Sequence, residues 1–372
     1  MLNNIMYILN YLAITWIILI FLWLFFSVIS KFKTKSYNNK MAIFISIFSF
    51  SVFAFNYKPT EFTDLYRLYE TLDLIRYTGG LFYNSNEIIT VLLFDIVSKT
   101  SYNQLLPFIV TIIRYSLFFL ILNNYAKTYK IERYSTKLFI FFNFAFLPLI
   151  ESISGIRYYF AITVLAYALI SDFCLRKKIL NKITFLIPLL IHTGSSIFLG
   201  LRLLVIDKLY KLIKPFMFII LFWTIFSDKI VSVLQSIDTE FTIVAANMLK
   251  FYIEEERTIS LRLTIARFIM VIILYMMFFM IKKKDKKNYI SNLKYYRFIE
   301  LVLIFTFGSV FHAVLFQRNT FFIALISMPL FFNFFKSEVI ENRIKKLYGS
   351  FILILSIGMY LNQIYGLFVG YF

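Results

Sequence analysis

Cysteine and histidine are almost missing from this chain. Cys174 stands alone, which excludes an internal disulfide framework and a thiolate metal cluster. His192 and His312 are the only histidines, too few for a histidine-rich metal site. Acids are scarce as well, 20 against 39 lysines and arginines. There is no Walker loop, no GxGxxG, no HExxH and no D-x-D pair. These absences argue against an ATPase, a dehydrogenase, a zinc protease and a nucleotide-sugar transferase. No metal or cofactor is expected.

Apolar residues are what the chain has in quantity: 60% of its 372 residues are hydrophobic and 20% aromatic. No soluble fold covers so much apolar surface, and the apolar runs recur along the whole length. The expected fold is therefore all-α, a polytopic membrane protein forming a single integral domain over residues 1–372. The net charge of +19 would suit nucleic acid, but its placement does not. The bases fall in short loops between apolar runs, as cytoplasmic loops require. The first run has no cleavage signature and reads as a retained span.

Taken in order, the runs predict spans near 8–29, 41–55, 105–122, 138–150, 158–175, 215–226, 261–281, 298–316, 320–335 and 347–368. Residues 183–206 are interrupted by Pro188, His192, Gly194 and Gly200 and have basic flanks on both sides. They read as a broken or re-entrant helical hairpin. The count is about ten spans, or about twelve if the hairpin crosses, with both termini outside. Residues 56–103 form an outer loop in which Glu61, Asp64, Glu70, Asp73, Glu87 and Asp95 outnumber the bases. Residues 228–260 form a second outer segment that holds an interfacial amphipathic helix.

With that topology the unusual polar groups gather near the outer surface. Arg157, just after the break at Gly155, opens an inward-running helix. Arg318, in Gln317-Arg318-Asn319, is expected to open another. A guanidinium beside free helix N–H groups suits a phosphate, although arginines at helix ends also snorkel to headgroups. Arg114 is the deepest arginine; it either assists at the same anion or pairs with an acid on a neighbouring span. His192 is a candidate base, or else it bonds carbonyls freed by the break. His312 reads as structural. Asp64 is placed to orient a sugar hydroxyl, with Tyr66 and Tyr69 as stacking faces.

These residues together resemble the EpsG-type and Wzy-type polymerases of bacterial exopolysaccharide, capsule and O-antigen. The resemblance runs over nearly the whole chain. It rests on Asp64 with Tyr66 and Tyr69, on Arg157 with Ala161, on His192-Thr193, and on Arg318 with Phe321 and Phe322. Tyr158 stands where the family usually has glutamine. The resemblance implies a multi-pass protein of the bacterial cytoplasmic membrane that joins undecaprenyl-diphosphate-linked oligosaccharide repeat units at the outer face, without a metal. On that reading Arg157, Arg318 and Arg114 hold the diphosphate, and His192, Asp64 or Glu151 supplies the base. A chain-length regulator and a flippase are the expected partners, and nucleic acid is not. Two alternatives stay open: a polyprenyl-phosphate-sugar glycosyltransferase, and a flippase for the same lipid-linked sugar.

Overall fold

Lipid offers no hydrogen bonds, so an apolar segment that crosses it must satisfy its backbone internally. The chain does so with helices. The computed structural model describes residues 14–26, 37–79, 87–175, 184–222 and 227–369, except 16, 62, 148, 238, 240–241, 244–245, 248–249 and 251–260. Among the described residues every regular element is helical. The basic loops at 31–35 and 176–182, and the Glu254–Arg257 stretch with the end of the expected amphipathic helix, lie outside the described residues.

The chain divides into two compact units, Met1–Ser195 with Ser356–Phe372, and Ser196–Leu355. The first contains α1 (Ile17–Phe26), α2 (Tyr37–Asn56), α3 (Asp64–Thr78), α4 (Ile88–Ser98), α5 (Leu105–Tyr129), α6 (Arg133–Phe146), α7 (Leu149–Ser154), α8 (Ile156–Phe173) and α9 (Ile187–Ile191). At about 1.5 Å per residue, α5 reaches roughly 37 Å, enough to cross a bilayer core. It is flanked by α2 and α8. The expected outer loop at 56–103 is built largely of α3 and α4. Thr63 caps α3 by accepting from the Tyr66 N–H, and Gly79, with φ at 65°, closes it in the left-handed conformation. Arg76 then ties the pair together. Its Nε donates to the carbonyls of Ser98 and Thr100 at the end of α4, at 3.2 and 2.8 Å, and its Nη1 pairs with Asp73. Ile88, Leu92 and Ile96 leave an exposed apolar stripe along α4, while Thr90, Phe94 and Val97 are buried.

The second unit contains α10 (Ser196–Leu203), α11 (Asp207–Ile213), α12 (Met217–Leu221), α13 (Ser227–Ser236), α14 (Leu261–Lys284), α15 (Lys286–Ser291), α16 (Leu293–Gly308), α17 (Ala313–Ile326), α18 (Met328–Lys336) and the start of α19 (Asn342–Val369). Arg267 on α14 is buried, its guanidinium 5.3 Å from the Phe321 ring. Glu300 accepts from the Tyr210 hydroxyl and from Lys282 Nζ, at 2.5 and 2.8 Å. Arg297 pairs with Asp207 and lies over the Tyr210 ring.

Two expectations for this unit are corrected. The turn expected at Gln317–Asn319 lies at Ser309–His312, so Arg318 stands inside α17 rather than at a helix mouth. The glycine and serine at 308–309 end α16, whereas Gln317, Arg318 and Asn319 are compatible with helix. Asn319 turns inward and donates to Ser309 Oγ at 2.9 Å. The span expected at 320–335 is also not continuous: α17 and α18 meet at Ser327 with a 49° bend. Pro329 cannot donate in the first turn of α18. The Tyr295 hydroxyl bridges the break, donating to the Ile326 carbonyl and accepting from the Leu330 N–H.

By length and apolarity, α5, α8, α14 and Asn342–Tyr365 of α19 can each cross a membrane, and the bent pair α17–α18 makes a fifth if it is one span. Several other expected spans are shorter or broken. The 215–226 stretch begins as a single 3-10 turn, Lys214–Phe216, followed by the five residues of α12. The expected break in 183–206 is present, with α9 ending at Ile191 and a 3-10 turn over Thr193–Ser195 before α10.

Candidate functional site

The site lies in the first unit, where four helix ends meet. Asp64 opens α3, Glu87 immediately precedes α4, and Arg157 is the second residue of α8. His192 follows the last residue of α9. Local chemistry explains each position. Gly155 allows the chain to turn sharply out of α7, because a Cβ there would stand 3.0 Å from the Tyr159 ring. Pro188 stands in the first turn of α9, and extended backbone at His192 stops the helix. The stop strands the Ile191 carbonyl, which accepts from the Thr90 hydroxyl at 2.8 Å. That bond docks the first turn of α4 on the end of α9 and brings Glu87 to His192.

The cluster is a continuous chain of charge-assisted bonds. Arg157 Nη2 donates to Asp64 Oδ1 and Nη1 to Glu87 Oε2, each at 3.0 Å. His192 Nδ1 lies 2.8 Å from Glu87 Oε1, which also accepts from the Thr193 N–H at 3.3 Å. A carboxylate only accepts, so Nδ1 carries the proton, and in the neutral ring Nε2 is left as the acceptor. Nε2 is buried and has no hydrogen-bond partner among the described residues. It faces Gly194, where a Cβ would stand 3.0 Å away. The Tyr158 ring packs edge-on against the imidazole, centroids 5.9 Å apart.

Glu87 is the most buried member, its side chain 8% exposed against 28% for Asp64. Burial pushes its carboxyl up. The hydrogen bond and charge of His192, the charge of Arg157 and the Thr193 N–H together outweigh burial and hold it below the ordinary carboxylate value. An arginine at a helix N-terminus attracts an anion. Here the anions are supplied from within, by α3 and α4. The positive charge between the two acids is Arg157, and no three of His, Cys, Asp and Glu are grouped as metal ligands among the described residues.

The other sequence candidates fall in different surroundings. Arg114 is buried on α5. It donates to the Ser152 carbonyl on α7 at 3.1 Å and lies against the rings of Tyr115 and Tyr159. Glu151 sits on α7, and the bonds that assemble the cluster run through Glu87 instead. Tyr66 and Tyr69 are half-buried on α3. The Tyr69 hydroxyl is buried without a hydrogen-bond partner among the described residues. Arg318 and His312 belong to the second unit, both half-buried. Glu87 escaped the sequence reading except as one acid among six. Its only local signal was its position just before an apolar run.

Fold and site together define an integral membrane protein, all-helical in its described residues, with a carboxylate–arginine–carboxylate–histidine relay at helix ends. The chain belongs to the EpsG family, which it matches over residues 41–371. That family is associated with membrane polysaccharide polymerisation on lipid-linked saccharides. No curated protein and no solved structure matches the chain.

Proposed function

We propose that this protein joins lipid-diphosphate-linked oligosaccharide repeat units into polymer, with His192 as the general base. The carrying observation is the Glu87–His192 bond, which fixes one ring nitrogen as a donor and leaves the other to accept a proton. In the proposed step Nε2 takes the proton from an acceptor sugar hydroxyl. That oxygen bonds to the anomeric carbon of the donor unit, and the bond from this carbon to the diphosphate oxygen breaks. The lipid diphosphate leaves with the electron pair.

Glu87 orients the imidazole and stabilises the imidazolium that forms, as a carboxylate does in a catalytic triad. Arg157 holds Glu87 and Asp64 in place. It meets the diphosphate on its more exposed, Asp64 side, where the arriving anion replaces one carboxylate with another negative group. Arg318, inside α17 of the second unit, is proposed from its charge alone to bind phosphate. Tyr66 and Tyr69 are proposed to contact sugar. The surroundings of Arg114 favour a brace between α5 and α7 over a diphosphate ligand. The reading includes about ten spans with both termini outside, the outer face of a bacterial cytoplasmic membrane, and a flippase and chain-length regulator as partners.

The test is the lipid-linked pool in cells carrying His192→Ala or Glu87→Gln. Polymerase loss leaves complete single repeat units at the outer face and removes long polymer. Complete units held at the inner face would make the protein a flippase. Incomplete units would make it a glycosyltransferase.

A further inference from the structure

At the end of the first unit away from Arg157, a cavity of about 300 Å³ opens between α1, α2, the last turns of α5 and the first turns of α6. The opposite placement follows from the helices themselves. Leu106 and Val110, near the start of α5, line the small cavity that Arg157 borders, whereas Tyr129, at its last residue, donates to the Cys174 carbonyl just beyond α8. The walls of the larger cavity are apolar and include Trp23, Leu122 and Phe144. Lys127, Arg133 and Lys137 stand among them, and no acid among the described residues lines the space.

Lys137 is the informative residue. It is 8% exposed, yet it makes no hydrogen bond or ion pair among the described residues. A largely buried lysine with no carboxylate beside it carries an unmatched charge into a mostly apolar space, which is unfavourable. Its position, one turn inside α6, adds a second feature. Glu132, the residue capping α6, makes no side-chain cap bond, so the first N–H groups of the helix also lack that partner. Cations, helix N–H groups and greasy walls together fit an amphiphile with an anionic head.

We propose that this cavity binds an anionic phospholipid from the surrounding bilayer, its phosphate beside Lys137 and the α6 N-terminus and its acyl chain along Trp23 and Leu122. The apolar walls favour a lipid over a soluble phosphate ester, which would leave them against water. This inference rests on membrane embedding and is independent of the polymerase reading.

Trp23 provides the probe. With Trp16→Phe and Trp223→Phe it is the sole tryptophan of the chain, which has three. The protein is placed in phosphatidylcholine vesicles with rising fractions of brominated phosphatidylglycerol or brominated phosphatidylcholine. The anionic lipid is expected to quench Trp23 at about a tenfold lower mole fraction than the zwitterionic one, a charge-assisted preference. Lys137→Met should remove that preference. Lys137→Arg should keep it, as should Lys130→Gln, a change outside the cavity lining. Equal quenching by the two lipids in the parent protein, or a preference unchanged in Lys137→Met, would overturn the proposal. So would reversal of the quenching by millimolar inorganic phosphate, which would make the ligand a soluble phosphate.

Discussion

Glu87 and His192 are 105 residues apart in the chain and meet at 2.8 Å, with Arg157 on the far oxygen of the same carboxylate. A base needs an orienting partner more than it needs an acidic neighbourhood, and here the partner is itself held in place. His192→Ala is therefore expected to lower polymer formation by about 10²–10⁴-fold, the usual worth of a positioned general base. Protein yield should be unchanged. Polymer labelling per unit of purified protein measures this, and parent-like activity in His192→Ala would remove histidine from the mechanism.

Glu87→Gln keeps the shape of the side chain but can present an amide donor to Nδ1, favouring the wrong tautomer. The expected loss approaches that of His192→Ala, and the double variant should be little worse than either single one, because the two act as a unit. Losses that multiply would show that they act separately.

Arg157→Ala leaves two carboxylates facing each other at the end of α8. Breaking a buried pair from one side is strongly unfavourable, and the partial exposure of Asp64 moderates the effect, so a destabilisation of about 2–4 kcal/mol is expected. Adding Asp64→Asn and Glu87→Gln should recover much of the stability without any polymer formation. Thermal unfolding in detergent reads the first quantity and polymer assay the second.

The depressed pKa of Glu87 has a pH signature. A group whose folded value lies below its ordinary 4.5 stabilises the fold fully above that pH and loses its contribution as pH falls through the folded value. Melting temperature should therefore drop as pH falls below 4.5, and drop less in Glu87→Gln. Parallel curves for the two proteins would be incompatible with the ion-paired cluster.

Gly194→Ala places a methyl group 3.0 Å from His192 Nε2, closer than ordinary contact. The ring must shift or the space beside its accepting nitrogen closes. Activity is expected to fall by at least about tenfold while melting temperature changes by less than about 1 kcal/mol in equivalent stability. Activity retained in this variant would mean the substrate approaches elsewhere.

Much of the helical plan could be read locally. The break before Arg157 follows from Gly155, and the break around His192 from Pro188 and Gly194. The placement of Arg318 could not, because Gln-Arg-Asn looks like a turn by composition, while the true stop at Gly308–Ser309 is set in apolar surroundings. Ser327 gave no warning for a similar reason: the groups it frees are met by Tyr295, more than thirty residues earlier. The acid that matters most was the hardest to find. Glu87 stood among five other acids in one polar stretch, and only the docking of Thr90 on the Ile191 carbonyl selects it. Such pairings depend on which helix ends meet, and no local pattern records that.

Arg76 makes α3 and α4 behave as one body, and that body carries both negative groups of the cluster. Through that one brace both acids reach Arg157 together, so a change at Arg76 would loosen Asp64 and Glu87 alike. The charge that Arg157 meets is thus governed from a distance, by an arginine bonded to Asp73, Ser98 and Thr100.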